Sequence, residues 1–159
     1  MSKSGIYFSL RQSWLLAGLT IVALLTIGSL KAAELDSKAL VYKLPSQLNW
    51  VESKNGQSQA ILWGDPSKPG PYGVLAKWSP HHNSHPHFHP HDRFIHVISG
   101  TWWVATGSNY NLDSMVPVPA GSFVTHFANG IHYDGAKDEE VMLEIVGDGP
   151  ATSTQVGDK

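Results

Sequence analysis

The chain has 159 residues, a formal charge of −2 and no cysteine, which excludes disulfides, thiolate catalysis and Cys-based metal sites. From Glu34 onward it carries all 13 acids against 8 of its 11 bases, about −5. That balance excludes nucleic acid as a partner, because phosphate binding needs a Lys/Arg surplus on one face.

The chain opens with Lys3 and Arg11, continues through the uncharged run "WLLAGLTIVALLTIGSL" (14–30) and reaches Ala32-Ala33 before its first acid. A basic start, an apolar run and small residues read as a secretory signal over 1–33, which places the mature protein in the periplasm or outside the cell. Seventeen apolar residues also reach the lower limit for spanning a bilayer, so a retained N-terminal anchor in the inner membrane is the alternative. Membrane contact is expected only in that second case.

The remaining chain is long enough for one domain with one core, and 38–150 is its expected extent. Short runs rich in β-branched and aromatic residues follow one another: "ALVYKL" (39–44), "LNWVE" (48–52), "AILWG" (60–64), "GVLAKW" (73–78), "RFIHVIS" (93–99), "TWWVAT" (101–106), "SFVTHF" (122–127) and "EVMLEIV" (140–146). Between them stand turn formers such as "DPSKPGPYG", "SGT" and "PAG". No helical period runs through this part, and "NYNLDSM" suits one helical turn at most. Many short strands at near-regular spacing predict an all-β sandwich or barrel. Adjacent Trp102 and Trp103 must point to opposite faces of their strand. The small, polar segment 151–159 is expected to leave the fold as a flexible tail.

Seven of the nine histidines crowd into "HHNSHPHFHPHDRFIH" (81–96). His85, His87, His89 and His91 alternate, so on an extended chain they project one way, and two neighbours can hold one ion. All four cannot, because the outer pair would lie about 20 Å apart at about 3.3 Å per residue. Two readings remain open: a His-rich surface loop with weak metal affinity, or two ligands of a folded site with bystanders around them. The strand–glycine–strand sequence that follows supplies the rigid flank a folded site needs.

Counted back from Gly100, "HFHPHDRFIHVISG" resembles the first motif of the cupin family, G-x5-H-x-H-x(3,4)-E-x6-G, with His87 and His89 on H-x-H and Arg93 where the glutamate stands. "PAGSFVTHFANGIHYDG" resembles the second motif, P-x-G-x2-H-x3-N, with Val124 at the histidine position and later histidines at His126 and His132. "FANGIH" read as a degenerate form of that motif selects His132. With "WGDPSKPGPYGVLAKW" and "VISGTWW", the chain resembles exported single-domain cupins over about 50–150.

The resemblance implies a small double-sheet jelly-roll barrel with His87, His89 and His132 holding one divalent transition metal ion, from among Fe, Zn, Ni, Cu and Mn. It also implies pairing as a homodimer through sheet edges. Arg93 cannot ligate a cation, because it is always protonated. It is expected either to bind an anionic substrate through its planar fork or to pair with Asp92 or another acid. His96 should face away from Arg93, and His126 is a further ligand or a partner of one. Asp134, two residues past His132, is a candidate base, although "DGAKDEE" reads most simply as a solvated turn.

A metal-dependent enzyme acting on a small anionic or oxygen-chelating substrate, by oxygenase-like or Lewis-acid chemistry, is the leading functional expectation. A non-catalytic barrel that binds or senses a small molecule or metal is the second, and a periplasmic His-rich metal buffer the third. Fold alone does not choose among them.

Overall fold

A computed structural model describes residues 34–53 and 55–157. The expected signal or anchor over 1–33 lies outside the described residues. Residues 34–40 belong to a separate unit, in which the Ala39 and Leu40 N–H groups donate to the Asp36 carbonyl at 2.9 and 3.0 Å. The chain from Val41 onward forms the other unit, whose regular elements among the described residues are β strands and two 3-10 turns, Pro45–Gln47 and Leu112–Ser114. The second of these is the single turn that "NYNLDSM" allowed.

Eleven strands follow: β1 (Trp50–Glu52), β2 (Gln57–Trp63), β3 (Gly70–Trp78), β4 (His87–Phe88), β5 (Arg93–Ser99), β6 (Thr101–Thr106), β7 (Val116–Pro119), β8 (Phe123–His126), β9 (His132–Gly135), β10 (Val141–Gly149) and β11 (Thr154–Gln155). They form two antiparallel sheets, one ordered β1-β2-β3-β10-β5-β8 and the other β11-β4-β9-β6-β7. This is the expected double-sheet jelly roll. Between the sheets lies a core of Tyr72, Val74, Ala76 and Trp78 from β3, Ile95 and Val97 from β5, Trp102 from β6, and Val141, Leu143 and Ile145 from β10. Alternation explains that membership, since each strand contributes every second residue. It also separates the tryptophan pair: Trp102 is buried, and Trp103 faces outward under the Lys137 ammonium, 3.7 Å from its ring centroid.

Two expectations change. "ALVYKL" (39–44) has strand composition but forms none, and Val41 and Tyr42 are largely exposed. Strand propensity reflects packing on a paired surface, and here Lys43 meets the β2 carbonyls of Ile61 and Leu62 only through its ammonium. Residues 151–157 do not leave the fold as a tail. Thr154 and Gln155 pair with Phe88 and His87, and the Val156 N–H donates to the Pro86 carbonyl at 2.9 Å.

Candidate metal centre

Proline shapes the first part of the site. Pro86 and Pro90 lack backbone donors and confine β4 to two residues, so His87 is the point at which β4 registers with His132 on β9. His89, just past the strand, is fixed from both sides. Its carbonyl accepts from the Asn129 N–H at 2.8 Å, and its Nδ1 lies 2.8 Å from the Thr152 carbonyl. Asn129 takes a left-handed φ of +61°, a conformation asparagine tolerates, in the turn that leads into His132.

The three rings share one pattern. Nδ1 of His87 lies 2.8 Å from the His85 carbonyl, and Nδ1 of His132 lies 2.8 Å from the Gly130 carbonyl. A carbonyl can only accept, so each Nδ1 carries the proton, and each Nε2 is left with a lone pair. The ligand nitrogens of His87, His89 and His132 lie within 4.8 Å of one another, and all three residues are buried. The Nε2 atoms of His89 and His132 are sealed from solvent and have no hydrogen-bond partner. Buried acceptors left unpaired are costly, and a cation at their common focus would satisfy them. The donor set therefore fits a divalent transition metal ion.

Arg93 and His126 sit opposite each other in the β5–β8 ladder. An Arg93 terminal nitrogen lies 3.0 Å from His126 Nδ1, and since a guanidinium only donates, His126 Nδ1 accepts and Nε2 holds its proton. The arginine thus takes the lone pair with which His126 would have ligated. Burial, the neighbouring His132 and the Arg93 cation push the His126 pKa down to about 2. Burial and Arg93 hold His89 at about 3, and burial, with His87 and Arg93 also contributing, holds His132 at about 4. All three rings are neutral near pH 7.

Asp134 is not in a solvated turn. It is buried on β9 with an oxygen 4.0 Å from His132 Nε2, and burial raises its pKa against the pull of His87 and Arg93. The indoles of Trp78 and Trp102 favour its charge, though neither Nε1 reaches hydrogen-bond geometry. Ser84 braces this residue, accepting from the Asp134 N–H at 2.9 Å. The Arg93–Asp92 pairing does not form: Asp92 accepts from the Ala128 N–H at 2.7 Å instead. The Arg93 Nε is sealed from solvent without a partner. Arg93, Asp134, His87 and His89 all line one cavity of about 650 Å³, roofed by Thr152, Ser153 and Gln155.

The other histidines separate as their strand positions dictate. His81, His82, His85 and His91 are exposed, with His85 stacked on Tyr110 at 4.5 Å. His96 points outward and lies 3.6 Å from Glu144.

No protein-family model matches the sequence, and no curated protein sequence matches it. Solved structures do match. The polyketide cyclase RemF from Streptomyces resistomycificus superposes with a TM-score of 0.63 at 13% identity, over 74% of this chain and 86% of its own. A cupin-2 domain from Rhodospirillum rubrum gives 0.59 at 13% identity, over 75% and 81%. The fold is a cupin barrel. The DMSP lyase DddQ from Ruegeria pomeroyi has the same barrel, with a TM-score of 0.57 at 12% identity over 72% of this chain and 64% of its own. At such identities the likeness carries the fold alone. Within this cupin barrel the chemistry has to be read from the chain's own side chains.

The roles of Thr152 and of the two indoles were not foreseen. Thr152 acts through a carbonyl, which no residue type announces. Trp78 and Trp102 belong to the core, and their second role follows only from where Asp134 is buried.

Proposed function

We propose that the protein is an exported metal-dependent enzyme that binds one divalent transition metal ion through His87, His89 and His132 and acts on a small anionic substrate. The observation that carries this reading is the set of three imidazoles with Nδ1–H spent on backbone carbonyls and Nε2 turned to a common, enclosed point. A metal-buffering tract would need no such preparation. The basic, apolar and small-residue order of 1–33 supports export.

The ion, when bound, supplies Lewis acidity and open positions for an oxygen donor. The rest falls to the chain. Arg93, which lines the cavity, holds a carboxylate or similar anion against the cavity wall through its guanidinium. His126 keeps the guanidinium in place by accepting one of its protons. Asp134, sequestered beside His132, is positioned to exchange a proton with a bound substrate. Trp102 and Trp78 close the cavity to bulk water on the core side.

Metal analysis of the purified chain tests the first half. About one ion per chain is expected, lost in His87→Ala and retained when His81, His82 and His85 are all changed to Ala. The reverse pattern would refute the folded site. Oxygen uptake and substrate loss over a panel of diketones, thiols and flavonols tests the second half. Silence of the metal-loaded protein across the panel would assign the barrel to binding or sensing instead.

A further inference from the structure

The six-stranded sheet extends beyond the core. The main cluster draws residues from β3, β5, β6 and β10, and none from β1 or β2. The registers nevertheless carry the core-facing side outward onto those two strands. Trp78, Ala76 and Val74 on β3 pair with Gln57, Gln59 and Ile61 on β2, and Gln59 pairs in turn with Val51 on β1. Directly paired residues share a face, so Val51, Gln57, Gln59 and Ile61 continue the inner wall of the barrel. That wall is uncovered: Val51 is 70% exposed and Ile61 48% exposed.

The overhang is concave. Val51, Ile61 and Pro66 line a groove of about 450 Å³, with Lys43, Gln47 and Asn49 at its rim. Gln59 and Pro66 line this groove and the metal-site cavity alike, so the two adjoin. Apolar residues on a core-facing surface, left bare beside a prepared polar site, mark a binding surface.

We propose that this groove is a second subsite of the same pocket, and that the substrate is an amphipathic carboxylate. Its acid group meets Arg93 and the metal position, its middle passes the Gln57 and Gln59 amides, and its hydrocarbon tail lies on Val51, Ile61 and Pro66. This rests on the three-His, Arg93 reading above and adds to it the shape and polarity of the ligand. Gln57 and Gln59 carry no charge, so they let an apolar chain pass while their amides stay solvated at the mouth. The groove carries little charge of its own beyond Lys43, whose ammonium is engaged by the Ile61 and Leu62 carbonyls.

The test is a homologous series of straight-chain carboxylates, acetate to decanoate, titrated into the full chain loaded with Co²⁺ and followed by the cobalt absorption bands and by calorimetry. Short acids should bind with chain-length-independent affinity until the chain passes Gln59. Beyond that point affinity should rise about two- to fourfold for each added methylene, the increment expected for burying one such group. The double variant Val51→Thr/Ile61→Thr keeps β-branched side chains on both strands and should abolish that rise. Val116→Thr, an exposed valine on β7, should not.

A series that binds but shows no rise overturns the tail subsite and leaves the metal and Arg93 reading standing. A rise that survives in the double variant also overturns it. So does a double variant that turns a wild-type dimer into a monomer, because the face would then belong to a second copy. Cobalt uptake with no carboxylate binding at any length overturns the anionic role of Arg93, and with it this proposal.

Discussion

Truncation after Ala151 removes the Thr152 carbonyl that accepts from His89 Nδ1 at 2.8 Å, together with β11 and the Val156-to-Pro86 hydrogen bond. Two quantities should respond differently. Without its acceptor, His89 is free to turn and to place its proton on either nitrogen, so part of the population no longer offers Nε2. Loss of such an orienting partner typically weakens metal affinity 10- to 100-fold, about 1.4–2.8 kcal/mol. Stability responds through a different set of contacts. The deleted side chains among residues 152–157 are exposed apart from the half-buried Val156, and none belongs to the core. The cost is then a few backbone hydrogen bonds at about 1 kcal/mol each. Affinity is measured by competition with a chromophoric chelator at pH 7.5, and stability by thermal unfolding in EDTA. A truncated chain that unfolds only a few degrees lower yet binds metal within twofold of the full chain would show that Thr152 does not orient His89. The account of the site as carbonyl-anchored rings would then fail.

Arg93→Met should make metal binding tighter, about tenfold, while weakening carboxylate binding, since the cation depresses proton affinity at His89, His126 and His132 alike. Paired titrations of metal and of a short carboxylate check this, and a parallel loss of both would mean the substitution acts through folding. Metal-free protein should lose stability as pH falls from about 6.5 toward 4. The folded His89, His126 and His132 resist protonation down to about 3, 2 and 4, whereas in the unfolded chain they take up protons near 6.5. Unfolding midpoints in EDTA at pH 7 and pH 5 test the sign, and a higher midpoint at pH 5 would contradict it. Gly100→Ala should cost about 2 kcal/mol or more, because Gly100 turns at φ +74° and an added Cβ would lie 2.4 Å from the Glu140 carbonyl oxygen. Chemical denaturation measures the loss.

Much of the fold was legible because most strands alternate cleanly. β5 and β6, with Gly100 between them, could be read from "RFIHVISGTWWVAT", and the facing of His96 followed from the position of Arg93. β4, β9 and β11 could not. They are two to four residues long, β4 sits between prolines, and β9 reads "HYDG", which has turn composition and becomes strand because β6 pairs along it and β4 meets it at His132. The stretch 39–44 failed in the opposite sense, since its strand-like composition has no ladder to join. At the site, the alternation of His85, His87, His89 and His91 left the ligand pair open, and the resemblance to the cupin motifs pointed to His87, His89 and His132. The local order of residues did not reveal that Asp134 is buried, because its burial comes from Ser84, fifty positions earlier, and from the indoles of β3 and β6.

In the proposed three-His site, an arginine at 93 does more than withhold a ligand. An imidazole that ligates through its lone pair contributes no charge, so a divalent ion held by the proposed ligands would bring its full charge to a cavity that already contains a guanidinium. Asp134 is the carboxylate that faces both, and burial disfavours its ionised form. With an ion bound, positive charge would therefore exceed negative charge at the cavity, and an incoming anion is the simplest way to restore balance. The same cation engages His126, whose Nδ1 is committed to the guanidinium, and would keep the ligand count of the proposed site at three. In the proposed site, Arg93 on β5 would thus set the coordination number and the sign of the ligand together. A glutamate at 93 would reverse both, freeing His126 Nδ1 and cancelling charge at the ion. An Arg93→Glu chain should consequently hold its metal more tightly and lose its preference for carboxylates over neutral chelators of the same shape.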